Sequence, residues 1–417
     1  MLRRLRFKDV GPAARMEIDF RSRINFLAGD NGLGKSFLLD AAWWALTRTW
    51  ARGVLLGHPP PSDPTIEYAY TKSAGPDHAA TSSFDRESET WSVQRGRPPI
   101  PGLVIYAQVD GGFSVWDPAR NYWKGDDRDR PAAYLFQPDE VWSGLPKDQP
   151  EKLCNGLIAD WASWQLEGGE AFDQLTRALE ALAPSPSEPL RPGALRKIKL
   201  GDARRHPTLA MPYGQEVPLV HASAGIRRIA SLAYLLVWTW QEHRASAELR
   251  GNLPAREIIF LIDEIEAHLH PQWQRRIVPA LLDVMEALSG EHDIPVQLIT
   301  ATHSPMVLAS VETRFDPDRD VVWELDLRDD EVVLSEFPWS RRGDANAWLT
   351  SSVFDLVEPR SIEAEDALQE ALLLLRDASP TSQAIQDVDA KLRAALGETD
   401  RFWMRWSQFV RDQEGRG

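Results

Sequence analysis

Eight consecutive residues, Gly29-Asp30-Asn31-Gly32-Leu33-Gly34-Lys35-Ser36, have the types and spacing needed to hold a phosphate. Glycines let backbone wrap an anion, and its N–H groups with a following helix start supply positive potential. Lys35 is expected to reach the β- and γ-phosphates, and the Ser36 hydroxyl to ligate Mg²⁺. A second group, Ile258-Ile-Phe-Leu-Ile-Asp263-Glu264, is an apolar run ending in two carboxylates. Acids at a strand end are often only caps or solvated termini. Beside a phosphate loop, Asp263 would hold Mg²⁺ through water, and Glu264 would orient and deprotonate an attacking water. A third run, Val296 to Ala301, ends in Thr302-His303-Ser304-Pro305, where His303 could bond a γ-phosphate and register its presence. Finally, His221-Ala-Ser223-Ala-Gly225-Ile-Arg227-Arg228 reads as a helix start. Ser223 suits an N-cap, and its hydroxyl with the free N–H groups also suits an anion. One chain with its own phosphate loop has no need of that second anion site. It makes sense facing the nucleotide of a second protomer.

These residues need particular elements beneath them. Residues 16–20 and 24–28 read as strands, and 36–52 has helical spacing up to Gly53. Residues 57–102 are rich in Pro, Ser, Asp and Gly, with strand candidates at 65–70 and 90–94. Residues 103–108 and 113–116 also look like strands, with a return at Tyr122 and Trp123, and antiparallel pairing here would form a sheet beside the nucleotide core. Texture turns helical from 138 to 183, with Trp142, Trp161 and Trp164 spaced to pack; 184–189 is a break and 191–205 is basic and looped. A long helix is expected over 224–249, a helix over 271–288 kinked at Pro279, acidic strands over 320–335, and helices again over 361–417. Leu368, Leu372 and Leu375 form a core stripe there. Phe402, Trp403, Trp406 and Phe409 crowd a terminal helix that packs back or serves as a docking face. Trp339 and Trp348 suggest an exposed docking surface.

Composition bounds the rest. At roughly 150 residues per domain, 417 residues make two or three units. Hydrophobic residues at 43% and charged residues at 26% exclude disorder as the main state. A net charge of −15 argues against a chain coated in nucleic acid. It leaves a local patch at Arg191, Arg196, Lys197, Lys199, Arg204 and Arg205. A single cysteine, Cys154, rules out an intrachain disulfide and fits a reducing compartment. The basic N-terminus has no apolar stretch behind it, and the apolar run at 229–240 is too short for a membrane span, which needs about 20 residues. The expectation is a soluble cytoplasmic protein without a membrane partner. His268 and His270 with His303 lack the spacing and partners of a zinc site.

A phosphate loop, a distant Ser-x-Gly helix start, a strand ending Asp-Glu and a strand ending Thr-His-Ser-Pro together resemble the ABC-type ATPase head. The stretch Asp263-Glu-Ile-Glu266-Ala-His268-Leu-His270-Pro271 is especially similar to the RecF/SMC-like and overcoming-lysogenization-like branch. The resemblance covers about residues 1–335. It implies an α/β fold with a mixed sheet and flanking helices, an antiparallel β subdomain and a helical lobe. It also implies ATP and Mg²⁺ as ligands, and a homodimer or higher homo-oligomer with ATP between one phosphate loop and the other chain's Ser-x-Gly helix. Nucleotide-binding residues would be Asp30, Asn31, Gly32, Leu33, Gly34, Lys35, Ser36, Ser223 and Gly225. Ser36 and Asp263 would be the metal ligands, and Glu264 and His303 the catalytic pair. The family's lobe-joint glutamine is expected at Gln137, where helical texture begins, with Gln108 as the rival. The expected division is a head over 1–355 (sheet lobe 1–137 and 206–355, helical lobe and insertion 138–205, signature helix 223–249) and a helical partner-docking module over 356–417. The Ser-Ala-Gly-Ile-Arg signature departs from the Leu-Ser-Gly-Gly-Gln of transporters, and no heptad arm of the SMC kind is present.

Three roles follow from the resemblance. The first is a regulatory ATPase of a Septu- or retron-type antiviral system, working with a separate HNH-type nuclease. Residues 349–365 and the short helical tail favour this one. The second is a RecF-like repair ATPase acting on DNA. The third, a nuclease in its own right, lacks its Glu-Gly and Asp-x-Asp pattern, since Glu358 is followed by Pro359.

Overall fold

The computed structural model describes all residues except 72–76, 93–101, 122–130, 147–151, 256, 290–294, 378 and 415–417. The expected strand return at Tyr122 and Trp123 and the end of the 90–94 strand lie outside the described residues. The chain divides into two units, Met1–Ala345 and Asn346–Gly417, ahead of the expected 355/356 boundary.

The first unit opens with β1 (Leu2–Lys8), β2 (Arg15–Asp19) and β3 (Ile24–Gly29), then α1 (Lys35–Thr47). Next come β4 (Thr65–Tyr70), β5 (His78–Asp85) and β6 (Thr90–Trp91), followed by β7 (Leu103–Ala107), β8 (Phe113–Trp116) and β9 (Tyr134–Phe136). The helical lobe starts with α2 (Pro138–Ser143), the hairpin of β10 (Leu145–Pro146) and β11 (Lys152–Cys154), α3 (Leu157–Glu167) and α4 (Glu170–Ala181). A three-stranded sheet of β12 (Arg191–Pro192), β13 (Thr208–Ala210) and β14 (Glu216–Pro218) leads into the long α5 (Ala224–Leu249). Then follow β15 (Ile258–Ile262), α6 (Pro271–Gln274), α7 (Ile277–Ser289), β16 (Val296–Ala301), α8 (Pro305–Val311), β17 (Asp320–Arg328) and β18 (Glu331–Glu336).

Two sheets organise this unit. One is antiparallel, with order β2-β1-β4-β5-β6. On β2 exposed and buried positions alternate, as a sheet with one wet face requires. The other has eight strands, ordered β18-β17-β3-β16-β15-β7-β8-β9, and its five middle strands are parallel. Strands β3, β15 and β7 are buried at every position, which is why β15 and β7 read as unbroken apolar runs and β3 as one interrupted only by the hydrogen-bonded Asn25. The same two-sided burial places 103–107 and 113–116 in this central sheet, not in the antiparallel one where the sequence reading put them. Helix α1 lies in the core with β1 and β4: Trp43 and Trp44 are buried there, and Trp44 stacks on Trp50 at 5.4 Å. It ends at Thr47, earlier than expected, because Arg48 turns into the left-handed region at φ 58°. The break near Pro279 also falls earlier, at Arg275 and Arg276. Pro279 itself sits in the first turn of α7, where its missing N–H costs nothing.

The second unit has α10 (Ile362–Arg376), α11 (Ser382–Ala395) and α12 (Phe402–Glu414), with the short α9 (Ala345–Leu349) at the boundary. Its core is Ala364, Ala367, Leu368 and Ala371 of α10, Val388 and Leu392 of α11, and Trp406 of α12. Of the expected stripe only Leu368 is buried in that core; Leu372 and Leu375 are half-buried. The aromatics of α12 pack inside this unit. Trp406 is 1% exposed and donates through Nε1 to Asp389 Oδ1 at 2.9 Å, with Phe402, Trp403 and Phe409 around it. Trp406→Ala is therefore expected to destabilise the unit by about 3–5 kcal/mol. Urea melting followed by far-UV dichroism would show it, and an unmoved transition would place the weight of this core elsewhere. Trp348 is fully buried and Trp339 stacks on Phe315 at 3.5 Å, so neither is the open aromatic surface expected.

Candidate nucleotide site

The phosphate loop joins the end of β3 to the start of α1 through residues that must be glycine. Gly29 has φ 127° and lies against the edge of β17, where an added Cβ would stand 2.0 Å from the Leu325 carbonyl oxygen. Gly34, at φ 102°, has no such room either, with Pro12 at 2.6 Å. No acidic residue occupies the first turn of α1, so its N-terminal potential is not neutralised locally. Lys35 is buried and donates to the carbonyls of Gly29 at 2.8 Å and Asp30 at 2.6 Å. Burial pulls its ammonium down to about 8.

Strand β15 brings the paired acids to this loop. Its register matches Ile262 to Ala107, and the Asp263 N–H donates to the Ala107 carbonyl at 2.9 Å. The Ser36 hydroxyl donates to Asp263 Oδ1 at 3.0 Å, across 227 residues of sequence. The Asp263 carboxylate is fully buried and also meets Arg52 at 3.3 Å. Glu264 follows at φ 49°, a strained conformation for a residue other than glycine and one that concentrates at functional sites. A hydroxyl and a carboxylate are the hard oxygen donors Mg²⁺ takes when substrate phosphates and water complete its shell. No group of three or more His, Cys, Asp or Glu suited to a metal occurs among the described residues.

His303 stands at the end of β16, the strand between β3 and β15. Burial and then the neighbouring Lys35 charge lower its pKa, keeping the imidazole neutral near pH 7. Its position is held by Glu266, which the sequence reading passed over. That carboxylate accepts from the Thr302 hydroxyl at 2.8 Å and from the His303 backbone N–H. Gln274 adds a second tie, accepting from the Ser304 hydroxyl at 2.7 Å while donating to the Leu269 carbonyl at 2.8 Å. The sequence signals for Glu266 were its offset of three from Asp263 and its place in the stretch that carries the resemblance, neither of which gave it a role.

Ser223 caps α5, accepting from the Ile226 N–H at 3.4 Å, and is exposed. Gly225 is buried against the loop after β15, where a Cβ would stand 2.7 Å from the His268 carbonyl oxygen. The structure thus groups Asp30 to Ser36, Asp263, Glu264 and His303 at one sheet end, and leaves Ser223 on an exposed helix start. Gln137 does not join the group. It is an exposed N-cap of α2 in a capping box with Glu140, two strands further toward the sheet edge. Gln108 instead follows Ala107 directly, beside Asp263, with its side-chain amide donating to Ser114 Oγ at 3.0 Å and its backbone carbonyl accepting from Arg228 at 2.6 Å. The onset of helical texture pointed to Gln137; it is Gln108 that strand register sets beside Asp263. In the basic stretch, Arg191, Arg196 and Arg204 pair with Glu180, Glu216 and Asp202.

In this sheet a phosphate loop ends one middle strand, paired acids end a second and a histidine ends a third, the arrangement expected of an ABC-type ATPase head. Residues 125–309, which hold Ser223, Asp263, Glu264 and His303, match the family model described as "AAA domain, putative AbiEii toxin, Type IV TA system". Over 108 residues, 25% of this chain and 19% of the relative, it is 36% identical to the retron Vc95 probable ATPase of Vibrio cholerae. Over 132 residues, 32% of this chain and 17% of the relative, it is 29% identical to the Septu protein PtuA of Bacillus mycoides. The chain thus spans about a fifth of the length of these curated relatives. The SMC head domain of Thermotoga maritima superimposes with a TM-score of 0.41 at 14% identity, covering 81% of this chain and 99% of that one. Among the described residues no helix is long and apolar enough to cross a membrane.

Proposed function

We propose that this chain is a Mg²⁺-dependent ATPase that dimerises around two ATP molecules and so controls a separate effector, in the manner of an antiviral defence system. The observation that carries the reading is the 3.0 Å contact between Ser36 and Asp263, which joins phosphate loop and strand-end acid at one point. Lys35 would leave the Gly29 and Asp30 carbonyls for the β- and γ-phosphates. Ser36 and Asp263 would hold the metal, whose charge offsets that building on the phosphate oxygens. Glu264 would accept the proton of the attacking water, while neutral His303 donates a hydrogen bond to the γ-phosphate. The exposed Ser223 helix start would complete the site of a second protomer. The effector reading draws on relatives named as retron and Septu proteins, and an HNH-type nuclease is the partner it implies.

The test is ATP binding by Lys35→Ala. Calorimetry should show affinity down by at least about tenfold, the loss of one charge-assisted phosphate contact. Without nucleotide, the variant should melt no lower than the parent. Between about 8 and the ordinary lysine pKa the unfolded chain holds a proton that the folded chain does not. Stability therefore rises with pH through that window, and below it the buried ammonium costs the fold stability. Unchanged ATP affinity would end the assignment.

A further inference from the structure

The Asp263 carboxylate is fully buried, and a buried carboxylate without a counter-charge is costly. Arg52, in the turn after α1, supplies one. Its Nη2 lies 3.3 Å from Asp263 Oδ2, 3.0 Å from Asp40 Oδ2 and 2.7 Å from the Tyr106 hydroxyl, and its Nε lies 3.1 Å from Asp40 Oδ1. Asp40 therefore takes the guanidinium through two of its nitrogens, Nε and Nη2, the strong fork geometry, and Asp263 receives the longest of the four contacts. Tyr106 accepts from Arg52 and donates to Asp40 at 3.1 Å, with its ring 5.6 Å below the guanidinium carbon. Burial, followed by the Asp40 charge, holds the Tyr106 phenol well above its usual pKa, so it stays a donor. The anchor is thus Asp40 with Tyr106, and the hold on Asp263 can be released without undoing it.

We propose that Arg52 is a built-in counter-cation for Asp263, neutralising this carboxylate when no divalent ion is bound and withdrawing onto Asp40 and Tyr106 when one arrives. The assignment rests on the reading of Ser36 and Asp263 as the Mg²⁺ pair. Without Arg52, a bare Asp263 would repel the phosphates of metal-free ATP, whereas Mg²⁺ would mask that repulsion. Arg52 acts here through Asp263, as a positioning residue. A direct phosphate contact would look different, because its loss weakens binding with metal and without.

The experiment is ATP binding by calorimetry to the full chain, in excess EDTA and in Mg²⁺. Arg52→Gln should lose at least about tenfold in EDTA and less than about threefold in Mg²⁺. Arg52→Lys, which keeps the charge, should recover most of the EDTA affinity. An equal fall in both buffers, or no fall in either, overturns the proposal. If wild-type protein bound no ATP in either buffer, the nucleotide reading itself would fail and take this assignment with it. Should Arg52→Gln not fold, Tyr106→Phe carries the test. A smaller rise in the EDTA-to-Mg²⁺ ratio of dissociation constants supports the proposal, and an unchanged ratio overturns it.

Discussion

Glu264→Gln is expected to bind ATP as the parent does and to turn it over about 10²–10⁴-fold more slowly, the usual cost of removing a general base. Glutamine keeps the shape and one acceptor oxygen but cannot take a proton. The residue is half-buried, immediately follows Asp263 and sits at φ 49°, so the substitution leaves the strained backbone and the neighbouring carboxylate in place. ATP should then persist on the protein, and dimers should accumulate in light scattering when ATP is added. Phosphate release within a few-fold of the parent would move the base elsewhere.

The second large effect comes from mixing inactive chains. If Ser223 acts across a two-fold interface, Lys35→Ala and Ser223→Arg should each abolish turnover. A mixed dimer then has one doubly damaged site and one intact site. Equal mixing makes half the dimers mixed, so about a quarter of parental turnover should return if the two sites act independently. Ser223 is exposed, its hydroxyl accepts from its own helix start at Ile226, and Gly225 behind it is seated on the loop that follows Asp263 and Glu264. An arginine at 223 thus changes the outward face without disturbing that seat. Mixed dimers confirmed by light scattering but still inactive would show that each chain works alone.

Much of this site could be read from the chain itself. The bounds of β4, α5, β15 and β16 follow from apolar runs, an N-cap serine and the residues that end them, all local signals. The phosphate loop and the paired acids were legible for the same reason. What stayed hidden depends on pairing across long separations. β7 and β8 read as strands, but nothing near them says that β7 lies against β15. The same gap concealed the choice between Gln108 and Gln137. Arg52 was lost inside an overlong helix, since the left-handed turn at Arg48 has no glycine to announce it. Glu266 matters through Thr302 and His303 on another strand, a relation no spacing rule encodes. The C-terminal aromatics are plain in the sequence, but the choice between packing back and docking is not, because the small alanine-lined core that absorbs Trp406 leaves little trace in a hydrophobic pattern.

Strand order also sets a timetable for making the protein. β3, which carries the phosphate loop, lies between β16 and β17, so Ile24 pairs with Leu298 on one side and Asp320 on the other. Neither neighbour exists until most of the first unit has been synthesised. At roughly 5–20 residues per second, the loop waits about 15–60 s after β3 leaves the ribosome. During that time its largely apolar strand has no partner on either edge, the condition in which a nascent chain needs shielding. A chain interrupted before β17 would keep the phosphate-loop sequence yet leave Gly29 without the Leu325 edge that shapes it. Nucleotide competence would therefore arrive late and all at once, as a sign that translation of the head is complete.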